Sequence, residues 1–263
     1  MNIVINIIIF VCCMTIGNIL NYFGNKLSSI KGYKYSDCDY CHKNNIIFFP
    51  LTRFILNKGR CNHCNNKYKL LPIFTELVVP FLFYIAFNNV KNDPIYIYLL
   101  FSLCFISSLV IVFVSDIKNM IIPDEVLLLF GFVLVCIKLY MLYYNETINT
   151  LLDLGYEIIF MLYEGLFMFL IMYVIKKTGD FLFKKDSMGG GDVKLMFFIS
   201  MFMGWKISLC ILFFSAFLAL PESAINMYRN KNNMLAFGPY IVIATLIIYL
   251  ANIDINMILG YLI

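Results

Sequence analysis

Charge is what this 263-residue sequence has least of. Asp, Glu, Lys and Arg together make up 14%, where soluble domains carry about 25%. Set against 62% hydrophobic residues and a mean hydropathy of +0.83, that shortage excludes an ordinary water-soluble fold. Tryptophan occurs once, yet 26 Phe and 18 Tyr bring aromatic residues to 17%, which excludes a disordered chain. The excess of positive charge is only +4, so nucleic-acid binding finds no support. No repeat of fixed period and no low-complexity tract is present. No cation precedes the first apolar run, Met1 to Phe23, while Lys26, Lys31 and Lys34 follow it. A cleaved export signal has the opposite order, so this run is expected to stay as an anchor with its N-terminus outside.

What the chain does have is a succession of apolar runs near the length a bilayer core needs, about 20 residues each. The sequence predicts spans near residues 3 to 23, 70 to 90, 95 to 115, 123 to 144, 155 to 175, 193 to 205, 206 to 225 and 237 to 257. The sixth is short, and one long helix over 193 to 225, broken at Gly204, Trp205 and Lys206, competes with two. Charge decides, because Lys and Arg gather in cytoplasmic loops. Eight spans put 17 of the 20 Lys and Arg on the inner side and leave Lys91, Lys138 and Lys206 for the outer half. Merging two spans would move Arg229 and Lys231 outside. The expected fold is therefore all-α: a polytopic membrane protein of about eight transmembrane helices, with a first helix over 1–23, a cytoplasmic loop over 24–69 and a seven-helix core over 70–263.

Five of the nine Cys (Cys12, Cys13, Cys104, Cys136 and Cys210) fall in apolar runs, where Cys behaves as a small hydrophobe. The other four form Cys38-x-x-Cys41 and, nineteen residues on, Cys61-x-x-Cys64, inside the polar loop. Paired knuckles at this spacing fit a four-thiolate zinc site better than four unliganded thiols or a redox pair. So short a loop buries too little core to fold alone, and a metal supplies the missing free energy. Four protein thiolates leave no position for water, so the zinc is expected to be structural. His42 and His63 adjoin the ligands and are read as solvated neighbours.

Acids are few, and three of them share one depth, the inner boundary. Asp116 ends the third span, Asp124 opens the fourth after Pro123, and Asp192 closes the run Met188-Gly189-Gly190-Gly191-Asp192. Two carboxylates brought together share a proton and can act as a base toward water and an acid toward a peptide carbonyl. The glycines beside Asp192 would let an extended substrate lie against the backbone. Asp124 is read as an acidic residue capping a helix start. Asp192 has the duller reading of an N-cap, whereas Asp116 sits at a helix C-terminus where a carboxylate gains nothing from the dipole. Among the intramembrane acids, Glu76 and Glu222 are second-tier site candidates and Glu157 is expected at the outer interface. The same acids could instead form the relay of a proton-coupled transporter.

In this order the motifs resemble the type IV prepilin peptidases, membrane aspartyl proteases of the Gly-x-Gly-Asp type. Gly17-Asn18-Ile19-Leu20-Asn21 with Lys26-Leu27 is similar to that family's first-span signature, with Asn18 and Lys26 where Ser and Arg are usual. The double Cys-x-x-Cys loop with Gly59-Arg60, then Thr75-Glu76-Leu77, Asp116 with Ile122-Pro123-Asp124, Met188-Gly189-x-Gly191-Asp192-x-Lys194 and Phe237-Gly238-Pro239 follow. The resemblance implies Asp116 and Asp192 as the catalytic pair, supported by Gly189, Gly191, Lys194 and Glu76. It further implies prepilin or pseudopilin substrates cut at the cytoplasmic face of the inner membrane, after a Gly that ends a short basic leader. Methylation of the new N-terminus with S-adenosylmethionine is implied too, although no Gly-x-Gly-x-x-Gly fingerprint is visible.

Overall fold

Runs of Leu, Ile, Phe and Val in an apolar surround leave the backbone one way to satisfy its own polar groups within a single segment, the α-helix. The computed structural model is accordingly helical, and it describes residues 3–28, 41, 49–90, 95–145, 147, 150–184, 188–228 and 236–253. Among them nine helices follow in chain order: α1 (Ile3–Leu27), α2 (Pro50–Leu56), α3 (Leu71–Asn89), α4 (Ile95–Asn119), α5 (Asp124–Tyr144), α6 (Leu151–Phe183), α7 (Gly190–Met203), α8 (Trp205–Tyr228) and α9 (Gly238–Leu250). Of β-structure the described residues hold only an isolated antiparallel bridge between Arg60 and Lys67.

Among the described residues, every stretch expected as a span contains a helix. Five of them (α3, α4, α5, α6 and α8) are long and apolar enough to cross a membrane, which makes this a multi-pass membrane protein. With 14 and 13 residues, α7 and α9 rise only about 20 Å, short of a hydrocarbon core of about 30 Å. The expected break at Gly204 separates α7 from α8: its φ is +85°, a backbone region that glycine enters without strain. Glu164 Oε2 of α6 then accepts from the Trp205 N–H at 2.5 Å and caps the new helix. The seven-residue α2, with Pro50 in its first turn, has no counterpart among the expected elements.

Helix α4 lies at the centre, packed on α1, α3, α5 and α9, with Phe105, Ile106, Leu109 and Val112 fully buried. Helix α7 packs against α6, α8 and α9 and buries Leu195, Met196 and Ile199. Helix α1 reaches α4 closely at Gly24, where an added Cβ would stand 3.0 Å from the Ile111 carbonyl oxygen; small residues allow such approaches between membrane helices. Outward faces carry Leu128, Phe132, Phe213 and Phe217, each at least 67% exposed, which suits lipid rather than water. The C-terminus of α4 and the N-termini of α5, α7 and α9 meet at one end of this bundle, and the candidate site is there.

Candidate active site

Asp116 stands one turn before the end of α4, and Asp192 is the third residue of α7. Both are buried. They converge on the first residue of α9: a Cβ built on Gly238 would lie 3.1 Å from Asp116 Cγ and 3.3 Å from Asp192 Oδ1. Those two separations from one point put the two atoms no more than 6.4 Å apart. The same Cβ would collide with Asp116 Oδ2, so a side chain at this position would have to displace that carboxylate. The backbone N–H of Gly238 faces the Asp116 carboxylate and that of Gly189 faces Asp192. Asp116 Oδ2 is buried with no hydrogen-bond partner among the described residues, which leaves it open to a proton or a water. Two carboxylates this close favour sharing one proton, which equips them for paired acid and base roles.

A cation stands at the edge of this pair. Lys176 Nζ of α6 is 3.7 Å from the Cβ position of Gly190, and its charge acts on Asp192. Lys194 does not join it. It is exposed, two residues from buried Asp192 and so on the other side of α7, and its Nζ binds both oxygens of Asp124 at 2.8 and 2.6 Å. Asp124 is in the first turn of α5 as expected, although the N-cap itself is Pro123 with no side-chain cap, and its carboxylate also ties α5 to α7. The glycines beside Asp192 stand in close quarters. A Cβ on Gly189 would meet Asp192 Oδ2 at 3.2 Å and one on Gly191 would meet Ile122 at 3.1 Å. At those two positions the space is filled by this chain's own side chains, while a Cβ on Gly190 would meet only Lys176 Nζ, at 3.7 Å.

Glu76 is fully buried on α3. Its Oε2 accepts from the Leu51 N–H of α2 at 2.7 Å, with Asn18 and Arg53 beside it; its partners thus belong to α1 and α2, not to α4 or α7. Glu222 on α8 is exposed and accepts from the Tyr240 hydroxyl. Glu157 is partly exposed on α6.

The cysteine segment is a second cluster. Sγ atoms of Cys41, Cys61 and Cys64 all lie within 4.8 Å of one another, and Cys41 and Cys61 are 3.7 Å apart without a disulfide. Tetrahedral zinc with Zn–S bonds of about 2.3 Å sets sulfurs about 3.8 Å apart, so this donor set fits the metal. The knuckle is closed by Asn65 N–H to the Cys61 carbonyl and Cys61 N–H to the Asn66 carbonyl, each 2.9 Å. His63 is exposed, and Cys38 and His42 lie outside the described residues.

Gly238 and Lys176 were not among the residues that sequence reasoning placed at the site. Gly238 carried a signal, the Phe237-Gly238-Pro239 run; Lys176, one of several Lys near a helix end, carried none.

The sequence model of the Type IV leader peptidase family matches residues 103–222, and that of the bacterial Peptidase A24 N-terminal domain matches residues 10–90. A prepilin leader peptidase/N-methyltransferase of Bacillus subtilis (strain 168) is 27% identical over 220 residues, covering 82% of this chain and 81% of the relative. A protein of the same description from Vibrio cholerae serotype O1 is 29% identical over 212 residues, covering 76% and 74%. No solved structure matches the chain.

Proposed function

Since the chain belongs to the type IV leader peptidase family and is a peptidase, we propose that it is a membrane aspartic endopeptidase removing the leader from type IV prepilins or pseudopilins. The observation that carries this reading is the convergence of buried Asp116 and Asp192 on Gly238. One carboxylate, ionised, takes a proton from water as the water attacks the scissile carbonyl carbon; the other, protonated, donates to the carbonyl oxygen. When the tetrahedral intermediate collapses, the proton taken from water passes to the leaving amine, a hydroxyl of the intermediate returns its proton to the second carboxylate as the new carboxyl carbonyl forms, and the original sharing is restored. No bond between enzyme and substrate forms in either step.

The reaction is assigned to the cytoplasmic face of the cell membrane. Eight helices crossing with the N-terminus outside (the five long ones with α1, α7 and α9) put the acid pair on the side where Lys and Arg collect. There a substrate with a basic leader in the cytosol and an apolar segment in the bilayer presents its junction. Cys38, Cys41, Cys61 and Cys64 would hold a structural zinc, which would fix the fold of the loop. Methylation of the new N-terminus with S-adenosylmethionine is supported by the names of the two relatives, not by any group of residues described here. The transporter reading is not favoured, because the matched family and both relatives are peptidases.

The test is cleavage of a synthetic prepilin by purified protein in lipid. Asp116→Asn and Asp192→Asn should each stop leader removal while Asp124→Asn keeps most of it. Full processing by a correctly inserted Asp192→Asn variant would overturn the assignment.

A further inference from the structure

At the end of the bundle opposite the acid pair lies a cavity of about 460 Å³ that the peptidase reading does not use. Its walls come from the ends of α3, α4, α5, α7 and α9, and they include Tyr98, Ser102, Lys138, Phe202 and Tyr249. Ser102 and Asp116 are both on α4, fourteen residues apart, which at 1.5 Å per residue is about 21 Å.

Two donors in this cavity, on Lys138 and Tyr98, are not fully used among the described residues. Lys138 offers three N–H groups, and among the described residues its one hydrogen bond runs to the Phe202 carbonyl at 3.4 Å. The Tyr98 hydroxyl accepts from Asn145 Nδ2 at 2.7 Å, and its own proton has no acceptor among the described residues. Ser102 and Tyr249 satisfy each other at 2.7 Å, and Ser102 also donates to the Tyr98 carbonyl. Glu157 and Glu164 of α6 act on Lys138 at longer range, but neither comes within ion-pair distance, and Glu164 Oε2 is engaged by Trp205. An ammonium and a phenol O–H, spare and facing one hollow, call for an anion with several acceptor oxygens. The remaining wall is mostly apolar (Ala86, Val90, Phe101, Met141, Phe202, Leu250), with Asn252 and with Asn89, whose Nδ2 donates to the Leu250 carbonyl at 2.5 Å, so the anion should carry hydrocarbon. Helix ends with tyrosines mark the membrane interface, the depth at which phospholipid headgroups lie.

We propose that this cavity binds the phosphate of a phospholipid, with Lys138 and Tyr98 as donors and the apolar wall against the upper acyl chain. Purified full-length protein, washed extensively in detergent, should retain about one phospholipid per chain by phosphorus analysis and native mass spectrometry. Lys138→Met should reduce that occupancy roughly tenfold or more, Tyr98→Phe by less, and Lys138→Arg should restore it. All three variants should keep leader peptidase activity, which shows that they fold. Wild-type protein free of lipid, or equal retention by Lys138→Met, would overturn the proposal. Inorganic phosphate at equal phosphorus concentration should not shift the melting temperature. A shift that depends on Lys138, without retained lipid, would assign the site to free phosphate and overturn the lipid. Loss of peptidase activity by Asp192→Asn leaves this result untouched, so the two readings fail separately.

Discussion

The sharpest dependence on a single atom is at Gly238, where a methyl group has no room. Gly238→Ala would push a Cβ into the Asp116 carboxylate and against Asp192, and misplacing a catalytic group by about 1 Å costs on the order of 10²-fold in rate. Leader cleavage should therefore fall by about that factor with normal protein abundance. Gly155→Ala is the control, since nothing lies within 4 Å of its Cβ position, and its cleavage rate should be unchanged. Asp124→Asn sits between these extremes. Its pair with Lys194 is about half exposed, at 54% and 52%, and such bridges contribute about 1 kcal/mol or less, reduced further by salt. Asp116 and Asp192 were legible in the sequence because an acid at a membrane helix end is electrostatically conspicuous. The role of Gly238 was not, because it exists only where three helices distant in sequence converge. Asp124 was legible only in part for a related reason: a carboxylate in a first helical turn looks the same whether or not it also reaches for a Lys seventy residues away.

At the scale of elements, long apolar runs declared themselves, and the Gly204 break fell where glycine and charge interrupted the run. Helix α2 was hidden, since seven residues inside a polar loop have too few turns to display a period. Its attachment was hidden as well, because Glu76 could be seen as a buried acid but not as the acceptor of the Leu51 N–H. That contact makes the cysteine segment and the membrane core one mechanical unit, and metal removal tests how far. Purified protein should carry one zinc per chain, lost on changing Cys38 and Cys41 to Ser. Metal-free protein with four freely reactive thiols would defeat the zinc assignment. Glu76→Ala should expose residues 49–69 to limited proteolysis with the zinc still bound, whereas chelation should expose them by unfolding the knuckle itself. Equal resistance of Glu76→Ala and wild type would show that the Leu51 contact does not hold the segment.

For the molecule as a whole, the proposal requires the acid pair and the lipid cavity to lie on opposite sides of the membrane. Five helices cross by length and composition, while α7 and α9 are each about 10 Å short of a full hydrocarbon core. Buried among longer helices, they need not meet lipid along their whole length. Asp192 and Gly238 are buried at the starts of α7 and α9, where two carboxylates interact more strongly than in bulk water. The loop at Thr147 follows α5 at the cavity end, and Lys184 follows α6 at the acid-pair end. A site for a membrane-impermeant protease inserted at Thr147 should be cut in intact spheroplasts, and one inserted at Lys184 only in inverted vesicles. The reverse pattern would place the acid pair outside, away from cytosolic leaders. Cutting of both sites from one side would mean that α6 does not cross, and the eight-helix topology would fall with it.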